Sequence, residues 1–427
     1  MLTVQVKHAR RPWCSSGNCA ISRETKAIQI NPTCDSRPPG YCPPSLLSNI
    51  WHSLSWAPAY FWQRAVRRSR NVRPAHLIIA MVDHFEPSFV PNAPKGTLAT
   101  VADQETRLKH WCRRYPVVAD SWRDHDGMPF RHAYFSPAEQ YHEQIIGRLA
   151  EHCRKGWGEI EIHLHHGVNE PDTAKNTRRI LEEFRSVLVR HGGLSKLDGG
   201  EAPRYAFAHG NWALANSANG RCCGVDSEMQ ILAETGCYAD FTLPSAPDPT
   251  QIGKINALYE CALPLSRRAP HRYGHDLTVG NRPTVFPLIM QGPLLLTLLR
   301  GNRRCLCARV ENGGLMKNDP PTMERTKLWR KASITVRGRP NWLFIKLHGH
   351  GMDPRDEAVM LGEPMKRFYQ ELIEGSAGGR EYQVHFVTAR EMVNIALAAC
   401  DGCDGNPGNY REYRLKLITA LESQPRE

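Results

Sequence analysis

The chain has 427 residues, of which 41% are hydrophobic and 23% are charged, and its formal net charge is +12. This composition is typical of a soluble globular protein with a large core. The basic residues are spread out and lack the aromatic interleaving of RNA-binding modules, so no nucleic-acid partner is expected. No apolar secretory signal or membrane-length run is visible, which predicts a cytoplasmic location.

The fourteen cysteines follow no disulfide framework and complete no four-thiolate zinc site. Residues 1–45 are rich in Pro, Ser, Cys and Asn, which predicts a disordered or poorly packed, irregular N-terminal extension. Residues 46–73 are predicted to form an aromatic and basic amphipathic arm. Packing of this arm on the parent domain is the favoured interpretation, and peripheral contact of residues 46–70 with the inner face of a membrane is the alternative.

From residue 76 onward, apolar strand-like runs alternate with helical patterns. Helices are predicted near residues 101–114, 137–155, 172–191, 227–235, 322–331, 357–373 and 389–399. Seven or eight strand–helix units predict an α/β fold, a distorted (β/α)7–8 barrel of parallel strands over residues 74–400. An open doubly wound sheet is the alternative. Residues 250–283 are predicted to be an insertion over the barrel mouth, and residues 401–427 to form a C-terminal helix, over 410–421.

The first buried run, HLIIAMVDHFEP over residues 76–87, ends in polar side chains. Asp83, His84 and Glu86 follow an apolar strand of the kind found in parallel sheets. Ligands of α/β proteins bind outside the carboxyl ends of such strands. An ordinary solvated turn is the competing interpretation.

The run EIEIHLHHG, over residues 159–167, carries three histidines within four positions. Side chains alternate along a strand, so the isoleucines and Leu164 share one face while His163 and His165 share the other. Two neutral imidazoles on one face can converge on one metal ion. His166 follows in the turn and is a further candidate.

Two other strand ends carry metal-competent or aromatic side chains. In RYAFAHGNWAL the run ends in His209 and Trp212, and in WLFIKLHGHG it ends in His348 and His350. Asp240, before a short apolar segment, is a candidate partner for a histidine ligand. Core packing or a turn explains Trp212 and Asp240 equally well.

These residues supply the parts of a catalytic metal site. We expect Asp83, His163 and His165 to bind a divalent metal, with zinc as the first choice. Glu86 or Asp83 would act as the base and His348 as the acid. The additional candidates for the site are His84, His166, His209, Trp212, Asp240 and His350.

The order of these motifs resembles the polysaccharide deacetylase family over roughly residues 74–399. MVDHFEP stands where that family has T-F-D-D, HLHHG where it has H-S/T-x-x-H, and KLHGHG where it has L-x-H. YAFAHGNWAL is similar to its arginine-bearing motif, and residues 216–242 to the stretch that leads to an aspartate, here Asp240. The resemblance implies a distorted barrel and metal-dependent removal of acetyl groups from glycans. His84 stands at the position of the family's second, metal-binding aspartate.

The favoured hypothesis is therefore a metal-dependent hydrolase that deacetylates a carbohydrate. One alternative is a glycoside hydrolase, which needs two carboxylates about 5–10 Å apart. The other is a catalytically inactive glycan-binding or scaffold protein of polysaccharide assembly.

Overall fold

The computed structural model describes residues 56–66, 73–94, 96–300 and 306–418. The predicted extension over residues 1–45 lies outside this range. Of the predicted arm, helix α1 (Ala57–Val66) is described, and it exposes Phe61 and Trp62 while Trp56 before it is buried. No helix among the described residues is both long and apolar enough to cross a membrane. Membrane contact of the arm remains a prediction.

The described residues form a mixed α/β structure. The helices after α1 are α2 (Val101–Ala119), α3 (Glu143–His152), α4 (Ala174–Arg190), α5 (Glu228–Glu234), α6 (Met323–Lys331), α7 (Glu357–Met360), α8 (Glu363–Glu374) and α9 (Ala389–Cys400). The strands are β1 (Ala75–His84), β2 (His132–Pro137), β3 (Gly158–Leu164), β4 (Ser195–Leu197), β5 (Pro203–His209), β6 (Cys237–Asp240), β7 (Leu258–Cys261), β8 (Gly274–Asp276), β9 (Leu288–Met290), β10 (Leu295–Arg300), β11 (Leu306–Glu311), β12 (Gly314–Leu315), β13 (Trp342–Gly349), β14 (Tyr382–Val387) and β15 (Leu415–Leu417). Strand–helix alternation is thus confirmed.

A mostly parallel sheet of 13 strands organises the molecule. Its main path runs β12-β13-β1-β2-β3-β5-β6-β9-β7-β8, and β10 and β11 form a separate antiparallel pair. β1 is central: it pairs with β13 along one edge and with β14 and then β2 along the other. The parallel register places the carboxyl ends of β1, β2, β3 and β13 at one edge of the sheet.

The sheet is curved, but strand pairing among the described residues does not close it into a barrel. The predicted barrel is therefore not confirmed, although the predicted α/β class with parallel strands is. Lys346 on β13 shows the curvature, because its Nζ donates hydrogen bonds to the carbonyls of Phe241 and Leu243, which follow β6, at 2.7 and 2.9 Å.

Alternation along each strand separates two apolar cores. On β1, the side chains of Leu77, Ile79 and Met81 pack with α2, α3 and α8 in one core, and those of Ile78, Ala80 and Val82 pack with α9 in the other. β3 obeys the same rule, since Ile160, Ile162 and Leu164 belong to the first core. His163 lies on the opposite face, as predicted.

Two predicted elements differ from the structure. Residues 250–283 are not merely an insertion, because they contribute β7 and β8 to the main sheet. The predicted helix over residues 410–421 is wrong for its described part, which forms a 3-10 turn at Pro407–Tyr410 and then β15. There β15 pairs with β4, and Asn394 on α9 binds the backbone of Leu415 on both sides, which fixes an extended chain.

Candidate metal centre

A pocket with a cavity volume of about 100 Å³, partly open to solvent, lies where the carboxyl ends of β1, β3 and β13 meet. Its walls come from these strand ends and from the segments that follow β2 and β5. This is the edge at which α/β proteins bind ligands. The lining residues are His84, Glu86, Phe89, Gln140, His165, Gly210, Trp212, His350, Asp353 and Arg355.

His163 presents one free ring nitrogen beside this pocket. Its Nδ1 lies 2.7 Å from the carbonyl oxygen of Ala208 on β5, which can only accept, so Nδ1 carries the proton. Its Nε2 therefore holds a lone pair. That atom is buried, has no hydrogen-bond partner among the described residues, and lies 3.5 Å from Oε1 of Glu86. A metal-binding histidine without its ion has such a buried lone pair, which accepts no hydrogen bond.

His165 is oriented by a second carboxylate. Its Nδ1 lies 2.6 Å from Oε1 of Glu139, and its backbone N–H donates to Oε2 of the same residue at 3.3 Å. Its Nε2 points to Oε1 of Glu86, 3.0 Å away. Metal-binding histidines commonly give their other ring N–H to a carboxylate in this way. The side chains of Glu86, His163 and His165 thus form one of two groups in the described chain that could hold a metal ion.

Electrostatics favour positive charge between these three side chains. Burial alone would raise the pKa of Glu86, but His165 and hydrogen bonding lower it well below its usual value. Burial opposes protonation of His165, yet Glu139 and Glu86 raise its pKa to about 10. Burial lowers the pKa of His163. Without a metal, His165 carries a proton between two carboxylates; a divalent cation at that point would replace the proton and take the lone pairs of both imidazoles.

Asp83, the carboxylate expected in this set, lies on the other face of β1. Its Oδ2 bonds Nδ1 of His132 at 2.9 Å and its Oδ1 accepts the backbone N–H of Gly351 at 2.7 Å. Asp83 follows Leu77, Ile79 and Met81 in the alternation, so it points toward Trp111 of α2. The prediction that Asp83 lies with His163 and His165 is therefore wrong: the carboxylate beside these imidazoles is that of Glu86, which lies beyond the end of β1 and does not follow its alternation.

His84 and His350 complete the histidine-rich wall. The ring of His84 lies 4.5 Å from that of His163 and 5.0 Å from that of His350, between centroids. Burial and the neighbouring imidazoles lower the pKa of His84 well below its usual value, so its ring is neutral. Among the described residues that line the pocket, His350 is present and His348 is not. The acid role expected of His348 stays a prediction, and His350 is the histidine that borders the pocket.

Two residues after β5 shape the opposite wall. A Cβ atom on Gly210 would lie 2.2 Å from the ring of His165, so only glycine allows this imidazole its position. Trp212 has φ of 56°, an uncommon conformation for a non-glycine residue, and it lines the pocket. A role of Trp212 in substrate binding stays a prediction.

Three other candidates lie away from the pocket. His166 and His209 belong to a second group with Cys223 and Glu228, all four of them buried. Asp240 accepts hydrogen bonds from the backbone and hydroxyl of Thr242, whose Oγ1 accepts the backbone N–H of His209. Asp240 therefore supports the backbone at His209 through Thr242.

Comparison with models of known protein families found no match, and comparison with curated proteins found none either. The resemblance to polysaccharide deacetylases thus rests on the quoted motifs alone. Function has to be inferred from the chemistry of the pocket.

Proposed function

We propose that this protein is a zinc-dependent hydrolase that removes an acetyl group from a carbohydrate. The observation that carries the proposal is the convergence of Glu86, His163 and His165 at an open pocket. Two imidazoles and one carboxylate are a ligand set of catalytic zinc sites, which keep a coordination position open for water or substrate. We interpret the curved, unclosed sheet as a distorted form of the deacetylase barrel.

The residues present fit such an ion. His163 offers an unpartnered lone pair, His165 is oriented by Glu139, and Glu86 supplies negative charge. When bound, the ion would supply a Lewis acid that polarises a carbonyl and lowers the pKa of water.

The remaining pocket residues supply binding and proton transfer. His350 lines the pocket next to His84 and is suited to protonate the leaving group. Trp212 offers an aromatic face against which a sugar ring can stack. Asp353 is held by a forked ion pair with Arg355, with contacts of 3.0 and 2.6 Å, and this pair and Gln140 can bind hydroxyl groups.

The two alternatives are less well supported. A glycoside hydrolase needs an acid and a second carboxylate, but Glu86 is paired with His165 and Asp353 with Arg355. An inactive glycan-binding protein would need no ligand set with an open position. It would bind glycan without releasing acetate.

Acetate release tests the proposal. Full-length protein loaded with Zn²⁺ is incubated with N-acetylated chitin oligomers, O-acetylated xylan and 4-nitrophenyl acetate. We expect zinc-dependent release of acetate that is lost in His165→Ala and retained in His110→Ala, a matched change at a partly exposed histidine of α2. Absence of zinc-dependent release from all three compounds would contradict the proposal.

A further inference from the structure

The second group of metal-competent side chains lies behind the pocket wall. His166 is the second residue after β3, and His209 ends β5. Cys223 lies in the segment between β5 and α5, and Glu228 is the first residue of α5. All four side chains are buried, and their ligand atoms lie within 4.8 Å of one another. Nothing in the proposed hydrolysis uses them.

Three separations between these side chains, of 2.9 to 3.8 Å, bracket the edge length of a tetrahedron around one ion. Nε2 of His166 and Nε2 of His209 lie 2.9 and 3.8 Å from Oε1 of Glu228. Sγ of Cys223 lies 3.6 Å from Oε2 of Glu228. Zinc bonds of about 2.0–2.3 Å at tetrahedral angles give ligand–ligand separations of about 3.3–3.6 Å. The group therefore has room for an ion with modest adjustment.

Without a metal ion, one buried ring nitrogen among these four side chains has no partner in the described part of the chain. His166 as an imidazolium could bond both Asp172 and Glu228, each at 2.9 Å. Nε2 of His209, however, is fully buried and has no hydrogen-bond partner among the described residues. A buried polar atom without a partner destabilises the folded protein. Coordination would satisfy this atom, and it would require the 3.2 Å contact between Nδ1 of His209 and the N–H of Asn211 to open.

The surrounding backbone holds the four side chains in place. A Cβ on Gly167 would lie 2.1 Å from the carbonyl oxygen of Cys223, so the two segments are in direct backbone contact. The N–H of Asp172 donates to that same carbonyl at 2.7 Å. Asp172 also bonds Nδ1 of His166, as a carboxylate does behind a metal-bound histidine.

We propose that His166, His209, Cys223 and Glu228 bind a second divalent cation of the zinc class. Four protein ligands and complete burial make this a closed, structural site, in contrast to the open position at Glu86, His163 and His165. Its ion would lock the segment after β3 to the segment after β5. Both segments border the pocket, because His165 and Gly210 come from them.

Cobalt substitution tests this site without an activity assay, since only the second group contains a thiolate. In the variant His163→Ala/His165→Ala, loaded with Co²⁺, we expect one ion per chain and a thiolate-to-cobalt charge-transfer band. The wild-type protein should bind two ions. In Cys223→Ser, made in the wild-type protein, the band should vanish while one ion remains bound at the open site. In the control Cys112→Ser, a change at a half-buried cysteine of α2, the band should persist.

Two results would overturn the second site: a double variant that binds no cobalt, or a band that survives in Cys223→Ser. If Cys223→Ser does not fold, the ion count and the band of the double variant still decide the question. Failure of the proposed deacetylation would be seen separately, as two bound ions without acetate release.

Discussion

The two metal-competent groups contain adjacent residues, His165 and His166, yet they lie in opposite environments. His165 points into a pocket that reaches solvent, with Glu86 beside it, whereas His166 points into a closed space with Glu228. Both groups offer imidazole and carboxylate donors. The difference teaches that donor chemistry alone does not define a catalytic site. An open coordination position separates a site that can act on substrate from one that can only hold the fold together.

Removal of the carboxylate from each group should test most clearly whether the open group serves turnover and the closed group serves stability. We expect Glu86→Ala to lower zinc-dependent turnover by more than about 1,000-fold, because a ligand of the activating ion is lost. Its free energy of unfolding should change by less than about 1 kcal/mol, since Glu86 borders the open pocket. Turnover and urea unfolding measure the two effects. A large loss of stability with little loss of turnover would contradict the assignment.

Glu228→Ala should show the opposite balance. It would leave the backbone N–H of Ala215 and Nε2 of His166 without their partner in a buried site, while Nδ1 of His166 keeps Asp172. We expect a loss of about 3–5 kcal/mol in the free energy of unfolding, as for a broken buried ion pair. Turnover per folded molecule should fall much less than in Glu86→Ala. An unchanged unfolding midpoint would show that this group does not stabilise the fold.

A comparison of two neighbouring histidines sharpens the description of the open site. His350→Ala should lower kcat by about 100-fold or more, as expected for loss of a general acid. His348→Ala should lower it far less, because His350 lines the pocket and His348 does not. Steady-state kinetics of both variants, with zinc content measured in parallel, separates proton transfer from metal binding. The reverse order of effects would return the acid role to His348.

The smallest expected effect comes from the carboxylate behind His165. Glu139→Gln should keep the shape of the site but weaken the orientation and basicity of the imidazole, so zinc affinity should fall by about 10–100-fold. Competition with a chromophoric chelator measures this affinity. Glu143→Gln, at an exposed residue of α3 that bonds Tyr141, is the matched control and should leave it unchanged.

Much of the open site could be predicted from strand alternation. The alternating run around residue 163 placed His163 and His165 on one face, and the structure brings both beside Glu86. The same rule, applied to β1, would have excluded Asp83, because it shares parity with Ile79 and Met81. The position of polar residues at strand ends was sufficient to find the pocket but not to decide which of them face it.

Three other residues near the two groups, Glu139, Cys223 and Glu228, could not be predicted from the local sequence pattern. Glu139 lies in a 3-10 turn after β2, and Cys223 lies in an irregular segment, where no periodicity fixes the direction of a side chain. Glu228 begins α5, far along the chain from His166. Such contacts depend on how loops fold back over the sheet edge, which spacing in the sequence does not determine.

Crystals grown with zinc and measured at its absorption edge would test the central claim most directly. The account predicts an anomalous peak about 2.0–2.2 Å from Nε2 of His163, Nε2 of His165 and a carboxylate oxygen of Glu86. The absence of a peak at these three atoms, or a peak bound by Asp83 instead, would contradict it.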